Sequence, residues 1–599
     1  TGDAALNAQE NHDLNSDLAL VLPLTLLALL GITIAYFRAP LAPLLTFGAL
    51  GIALGLSIAG VVLIGHTFLR VDPTSITLST TFVLGVGTDY SIFLVARYRE
   101  ELLRGADPKT AVETSVAWAG QSIATSGATA VLATLALAFS GVALLSQWGI
   151  VLSLAILLTL LASLTLVPAA LTLIGPKVFW PSTGDRFRRQ ARAESARIAA
   201  RRGYFYRAAS LSRRRPGVLV AVVLAVSVPL LYVALHVPVG YDFYGQLPKG
   251  EPASDGLATL GERFGSGAAF PTTILVTFAQ PLVSGNATNV VEFQDLAEIT
   301  AGLSANPSVA SVASPVGPTG APIGTWIGFA GASPVERSLL TGLLAGFVGT
   351  DGRTVDLTVT STSSGLSASA IDLVAGIRGN LTGYAAVHPE ITQLAFGGGA
   401  ETTADLQAET AIATERMVAA VSVGLVVVLF VVLRSWILPL MAVATIGLSI
   451  GWAWAMTYLV LGGIFGRPIF YFVPTVLFLL ILGLGIDYNI FLLTRVREER
   501  LKGRSASEAA VEGVARTGGI ITAAAVILAS AFAVLISGRF LLLQAIGFSV
   551  AIAILLDAMV VRTYLVPSTL HLLGERVWRL GGRRAEGRPA PEGDGTPPT

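Results

Sequence analysis

The sequence predicts a polytopic α-helical membrane protein built on a parallel two-fold repeat, with an extracytoplasmic α+β domain of ferredoxin-like type. Three observations carry that expectation. Eleven apolar runs are long enough to span a bilayer, about 20 residues being needed for some 30 Å of hydrocarbon. One polar, acidic stretch, 238–415, interrupts them. The apolar block before it and the block after it match each other at a near-constant offset.

Composition sets the frame. Apolar residues make up 53% of the 599-residue chain and charged residues 13%, half the share of about 25% in an ordinary globular protein. Mean hydropathy is +0.71. A disordered chain is excluded and a soluble enzyme is disfavoured. The net charge of +1 gives no basis for nucleic-acid binding. With no cysteine, thiol catalysis, thiolate metal sites and disulfides are ruled out. The five histidines (His12, His66, His236, His388, His571) show no ligand spacing, so no metal is expected. No Lys follows a Gly, so a phosphate-cradling P-loop is absent and ATP bound in one drives nothing here. Neither a cofactor nor an enzymatic reaction is expected.

The spans run in order at about 19–37, 41–64, 74–96, 118–139, 147–174, 217–237, 417–433, 437–461, 470–493, 517–537 and 541–566. Basic residues fall on alternate connections: Arg38; Arg97, Arg99, Arg104 and Lys109; twelve bases within 177–215; Arg434; Arg495 to Arg516; and the tail. The other short loops hold only Arg70, Arg467 and Arg539. Cytoplasmic loops carry the excess of Lys and Arg, so the first set is cytoplasmic. The segment 238–415, with sixteen acids and five bases, then lies outside. Its strand-like runs are Thr272–Ala279, Thr354–Thr360 and Thr392–Phe396, and its helical patterns Val290–Leu303 and Ala368–Leu381. Strands alternating with two helices suggest the ferredoxin-like sandwich. Trp148, Trp180, Trp436 and Trp578 sit near span ends, as interfacial anchors do; Trp452 and Trp454 are mid-span and read as packing.

The repeat is the most informative feature. Leu84-Gly85-Val86-Gly87-Thr88-Asp89-Tyr90 matches Leu482-Gly483-Leu484-Gly485-Ile486-Asp487-Tyr488, and the match continues through Arg97-x-Arg99-Glu100-Glu101 and Arg495-x-Arg497-Glu498-Glu499. Leu166-Val167-Pro168 matches Leu565-Val566-Pro567, and Gly2 and Arg38 match Gly398 and Arg434. Both copies cross in the same direction, so a pseudo-two-fold axis runs along the membrane normal. The organisation expected is a stub of a first outer domain (1–18), a five-span block (19–176), a basic cytoplasmic linker (177–216), a lone span (217–237), the outer domain (238–415), a second five-span block (416–573) and a cytoplasmic tail (574–599). The symmetry predicts one more span and one more outer domain ahead of Thr1, about 200 residues in a twelve-span protein.

This arrangement resembles the resistance-nodulation-division superfamily. The Asp-Tyr pairs, the Arg-x-Arg-Glu-Glu continuation and the Leu-Leu-Asp-x-x-x-Val-Arg to Leu-Val-Pro run of the last span are similar to its mycobacterial-type large membrane protein (MmpL) branch. The resemblance covers nearly all of the chain. It implies a proton-driven exporter of lipids or other hydrophobic molecules in the cytoplasmic membrane of a bacterium, with porter domains outside. Substrate identity, accessory partners and the choice between monomer and trimer stay open.

Asp89, Asp487 and Asp557 are the acids well inside the spans, at similar depth. An intramembrane carboxylate costs several kcal/mol, so its default reading is functional. Neighbours on a helix diverge by about 100°, so Asp89 and Tyr90 cannot address one point. Two-fold packing predicts crosswise pairs instead, Asp89 with Tyr488 and Asp487 with Tyr90, forming a proton relay. Desolvation favours the protonated carboxyl and a tyrosine hydrogen bond favours the carboxylate; the opposition suits titration near neutral pH. Gly85, Gly87, Gly483 and Gly485 are small residues that permit close helix approach. Asp557 and Arg562 correspond to Leu158 and Ser163, so this pair is not symmetric. Arg562, near a span end, suits snorkelling; the family resemblance implies a relay or gating pair. Thr125, Ser126 and Thr129 read as hydroxyls bonded to their own helix. The competing function is a lipid-sensing receptor or scaffold of the same superfamily without net transport. A channel is disfavoured because the spans lack continuous polar faces.

Overall fold

The computed structural model describes residues 3–67, 71–181, 203–284, 287–318 and 345–578, together with 189, 333, 335 and 342. Residues 182–188 and 190–202 of the expected basic linker, and the tail beyond 578, lie outside the described residues. Ten described helices are long and apolar enough to cross a membrane.

The first half is α1 (Asp3–Phe37), α2 (Leu41–Thr67), α3 (Pro73–Leu103), α4 (Pro108–Leu137) and α5 (Ala143–Ile174). A short amphipathic α6 (Tyr204–Arg214) leads into α7 (Pro216–Leu235). After the outer domain come α11 (Gly399–Leu433), α12 (Ile437–Thr457), α13 (Val473–Leu501), α14 (Ala506–Ala533) and α15 (Leu541–Leu556). A π-helical segment, Asp557–Leu565, joins α15 to α16 (Val566–Leu573). The expected span at 118–139 is the helix α4. It is 30 residues long, about 45 Å at 1.5 Å per residue, but its Ser and Thr dilute it below the apolarity of the other ten.

Local chemistry places the helix ends. Asp72 caps α3 by accepting from the Thr74 N–H at 2.8 Å, with Pro73 at the first helical position. Asp107 and Pro108 do the same for α4. Ser505 and Glu508 form a capping box on α14. Arg38 and Arg434, the repeat-matched residues, are the two non-glycine residues with positive φ among those described (54° and 51°). They end the matched helices α1 and α11, each 35 residues long. The matched charge motifs also fold alike, with Arg97 on Glu100 at 3.0 Å and Arg495 on Glu498 at 2.6 Å.

The two halves interlock. α3 packs on α14 and α13 packs on α4, each inner helix lying against the next helix of the other half. The most apolar stretch of α3 is wholly buried, against 11% for α7. This is notable because α3 carries Thr77, Thr80, Thr81, Thr88 and Asp89 on buried positions. A helix so polar survives in a bilayer by facing protein on every side. Trp148 departs from its expected role as an anchor. It is fully buried and its indole N–H donates to Thr74 Oγ1 at 3.1 Å, so a protein partner replaces the bilayer interface. Trp180 and Trp436 are exposed. Trp452 is buried and donates to Ser227 of α7 at 3.0 Å.

The outer domain runs α8 (Pro252–Phe264), β1 (Thr272–Phe278), a minor hairpin β2–β3 (Val283–Ser284, Ala287–Thr288), α9 (Val290–Ser304), β4 (Val309–Ala313), β5 (Thr354–Ser361), α10 (Ala368–Val387) and β6 (Ile391–Gly398). Its four-stranded antiparallel sheet has the order β4-β5-β1-β6. With α9 after β1 and α10 after β5, this is the β-α-β-β-α-β ferredoxin-like arrangement. Ile274, Val276, Val355, Leu357 and Val359 point from the sheet into a core shared with Leu296, Ile299 and Ile377 of the two helices.

Candidate functional site

α3 and α13 bring the two Asp-Tyr motifs to the centre of the bundle. Asp89, Tyr90 and Tyr488 are each 1% exposed. The helices meet there through aromatic rings: Phe93 of α3 lies 4.7 Å from the Phe491 ring and 6.0 Å from the Tyr488 ring of α13. Asp487 is part of α13, but its side chain lies outside the described residues, and with it the expected contact to Tyr90.

Glycine sets the approach of the inner helices. A Cβ added at Gly85 would stand 2.9 Å from Leu528 and 3.2 Å from Ala531 of α14. One added at Gly483 would stand 3.3 to 3.4 Å from Ala133 and Ala130 of α4. The matched glycines thus face matched helices of the opposite half. At Gly87 the neighbours are Leu50 and Thr159 of its own half. Gly485 has looser surroundings, with no neighbour nearer than 3.7 Å; what it contributes is its carbonyl oxygen.

That carbonyl accepts from Arg562. The guanidinium is 2% exposed and lies inside the bundle rather than snorkelling to an interface. Its Nε donates to Asp557 Oδ2 at 2.7 Å, and Nη2 serves both Asp557 and the Gly485 oxygen. It stands 4.9 Å from the centre of the Tyr488 ring, a cation–π contact. Ser449 of α12 completes the pair by donating to Asp557 Oδ1 at 3.3 Å. Arg562 therefore touches α13 two residues before Asp487, at Gly485, and directly after it, at Tyr488. The π-helical segment makes this possible. Its i to i+5 bonding stacks residues five apart, which brings Asp557 and Arg562 together, as it does Ala558 and Thr563. The matched region of the first half, within α5, is continuous α-helix and carries Leu158 and Ser163.

Arg562 Nη1 has no hydrogen-bond partner among the described residues. Beside it is a cavity of about 10 Å³ lined by Thr517, Thr563, Gly518 and Ala558, the size needed for one water. Thr125 and Thr129 bond back to their own helix, at 2.9 Å to Gln121 and 2.7 Å to Ser126. Phe93 and Phe491 are themselves repeat-matched, three residues after the Tyr of each motif, and they meet across the two halves; Ser449 carries no motif, and the repeat does not point to it.

The sequence profile of the MMPL family matches residues 1–219 and 246–592. The chain belongs to the MMPL family. It is 30% identical over 92% of its length to a protein of Streptomyces coelicolor named only as a membrane protein. It is 25% identical over 92% of its length to the apo-petrobactin exporter of Bacillus anthracis, and 25% over 97% to the mycolic acid-containing lipids exporter MmpL11 of Mycolicibacterium smegmatis. The chain spans 60%, 69% and 57% of these three relatives. It is a multi-pass membrane protein of the bacterial inner membrane, in a family that includes named exporters.

Proposed function

We propose that this MMPL chain is the energy-coupling part of a proton-driven exporter of lipids or other hydrophobic molecules. One observation supports the reading above the rest: two repeat-matched helices at the bundle centre each carry an Asp-Tyr pair in mid-span, and α3 buries its own completely. An ionisable group kept there at a cost of several kcal/mol is retained for what its charge does. Protonation of Asp89 removes that cost, and its loss restores it, so occupancy by a proton changes how tightly α3 and α13 pack. The Tyr of the opposite half supplies a neutral donor that supports the carboxylate without fixing it as an ion pair.

Arg562 extends the relay into a gate. It is anchored to Asp557 and reaches the Gly485 carbonyl and the Tyr488 ring, so a change of charge at Asp487 alters its balance of partners. The π-helical turn that carries it is present in one half only, which makes the two proton sites inequivalent and gives the cycle a direction. The relatives named as exporters are named for apo-petrobactin and for mycolic acid-containing lipids, and the second of these suits a lipid-like cargo for this chain. The test is uptake of a fluorescent lipid into the lumen of inverted vesicles carrying the protein, the direction that corresponds to export from the cell. Export that follows an imposed pH gradient and stops with a protonophore is expected; export indifferent to both ends the reading.

A further inference from the structure

The outer domain holds a cluster that the transport reading does not use. Asp295 lies on α9. Tyr384 is in the last turn of α10, His388 follows that helix directly, and Glu390 precedes β6. His388 Nδ1 is 2.9 Å from Glu390 Oε1 and 3.1 Å from Asp295 Oδ1. One ligand atom from each of Asp295, His388 and Glu390 falls within 4.8 Å of the other two. The Tyr384 ring stacks on the imidazole at 3.9 Å and 9° and fixes its plane. The Tyr384 hydroxyl stands 3.2 Å from Asp295 Oδ1 and 3.0 Å from Glu298 Oε2.

Counting protons exposes the problem. Three carboxylates converge on two donors, one phenolic O–H and one imidazole N–H, and each donor faces two acceptors. Asp295 Oδ2 has no hydrogen-bond partner among the described residues, and Asp295 is 5% exposed. The buried Asp295 carboxylate, short of donors, is stabilised by a cation placed beside it.

We infer that Asp295, His388 and Glu390 form a binding site for a divalent transition-metal ion of the Zn²⁺ type, which ties α9 to the turn between α10 and β6. Metal bonds of about 2.1 Å at tetrahedral angles place ligand atoms about 3.4 Å apart; the imidazole nitrogen stands 3.1 and 2.9 Å from the two carboxylates, and all three ligand atoms lie within 4.8 Å of one another. A nitrogen ligand beside two carboxylates selects zinc-like ions over Mg²⁺ or Ca²⁺, which take oxygen alone. The Tyr384 hydroxyl bonded to a ligating carboxylate and the ring stacked on the imidazole are the supports such a site uses to orient its ligands. Three protein ligands leave a fourth position open on the half-exposed side of His388 and Glu390.

The experiment uses the full chain in nanodiscs, tag removed and stripped with EDTA, dialysed against ZnCl₂ with bound metal counted per chain. One Zn²⁺ per chain is expected, not displaced by a hundredfold excess of Mg²⁺ or Ca²⁺. Affinity is expected to be at least tenfold weaker in Glu390→Gln and in His388→Ala, and the wild-type thermal midpoint is expected to rise with Zn²⁺. Glu390 is at the edge of the domain, so its Gln variant keeps the fold should the His388 change disturb it. Failure of the wild-type chain to bind, or stoichiometric binding unchanged in both variants, overturns the assignment. So does a cluster whose stability follows pH and ignores Zn²⁺, because a shared proton then supplies the missing positive charge.

Discussion

Replacing Arg562 by Met keeps most of the side-chain volume and removes the charge. The structure sets the cost. Asp557 is 2% exposed and loses both guanidinium contacts, keeping Ser449 alone. The Gly485 carbonyl loses its donor and the Tyr488 ring its cation. Breaking a buried pair by removing one partner costs about 3–5 kcal/mol, because the remaining charge is uncompensated. The double change Asp557→Leu with Arg562→Met removes both charges and installs at 557 the residue type found at Leu158 in the first half. Apolar replacement of a buried pair is neutral within about 1 kcal/mol or stabilising, so the double variant should recover most of what the single one loses. Denaturant titration in mixed micelles, followed by tryptophan fluorescence, measures both. Export by the double variant then separates roles: loss of transport in a stable protein is the signature of a gate. A double variant as unstable as Arg562→Met would refute the reasoning, since the damage would then come from shape and not from an orphaned charge.

Gly483→Leu drives a branched side chain into Ala130 and Ala133 of α4 and should cost about 1–3 kcal/mol by overpacking, read in the same titration; wild-type stability would mean that α13 and α4 are not held close. Asp242, behind α7 in the outer region, accepts from the Gly245 N–H at 2.9 Å, yet burial holds its carboxyl above the usual range. An acid raised in the folded state contributes stability below its unfolded pKa and loses it as pH rises through the folded one. Asp242→Asn, which still accepts that bond, should therefore be the more stable protein at neutral pH, with the gap closing towards about pH 4; a gap independent of pH would contradict this. The native chain has no cysteine, so Lys109→Cys and Lys249→Cys, both exposed, test the topology cleanly. An impermeant thiol reagent on intact cells should label position 249 and spare 109, and equal labelling would reverse the orientation argument.

Much of this architecture is legible because the chain states it twice. Matched residues end matched helices at Arg38 and Arg434, and Gly85 and Gly483 each face the matched helix of the opposite half. The ferredoxin-like order was readable from three strands and two helical patterns. The fourth strand, Val309–Ala313, escaped because it is five residues of Val, Ala and Ser with little to distinguish it from a loop. The Asp557–Arg562 site was harder to read. At α-helical spacing residues five apart face different ways, and nothing in the local sequence announces the π-helical turn that aligns them. Trp148 was misplaced by position alone, since proximity to a span end does not say whether a neighbouring helix, here through Thr74, covers the indole. The Phe93–Phe491 contact joins two repeat-matched residues across the halves, whereas Ser449, which reaches the site by way of Asp557, depends on packing between distant segments, which a repeat does not encode.

The central claim is that Asp89 and Asp487 carry the protons that drive export. Asn at either position keeps size and hydrogen-bond acceptance but cannot titrate, so substrate-coupled proton flux in vesicles, measured with a lumenal pH dye, addresses the claim directly. The account predicts that Asp89→Asn and Asp487→Asn each abolish coupled flux while the protein stays folded and inserted. It further predicts that Tyr488→Phe, at about 1 kcal/mol for one net hydrogen bond, shifts the pH optimum through Asp89. Coupled flux with unchanged pH dependence in the double Asn variant would contradict it, leaving the two carboxyls as packing groups and the chain as a receptor or scaffold.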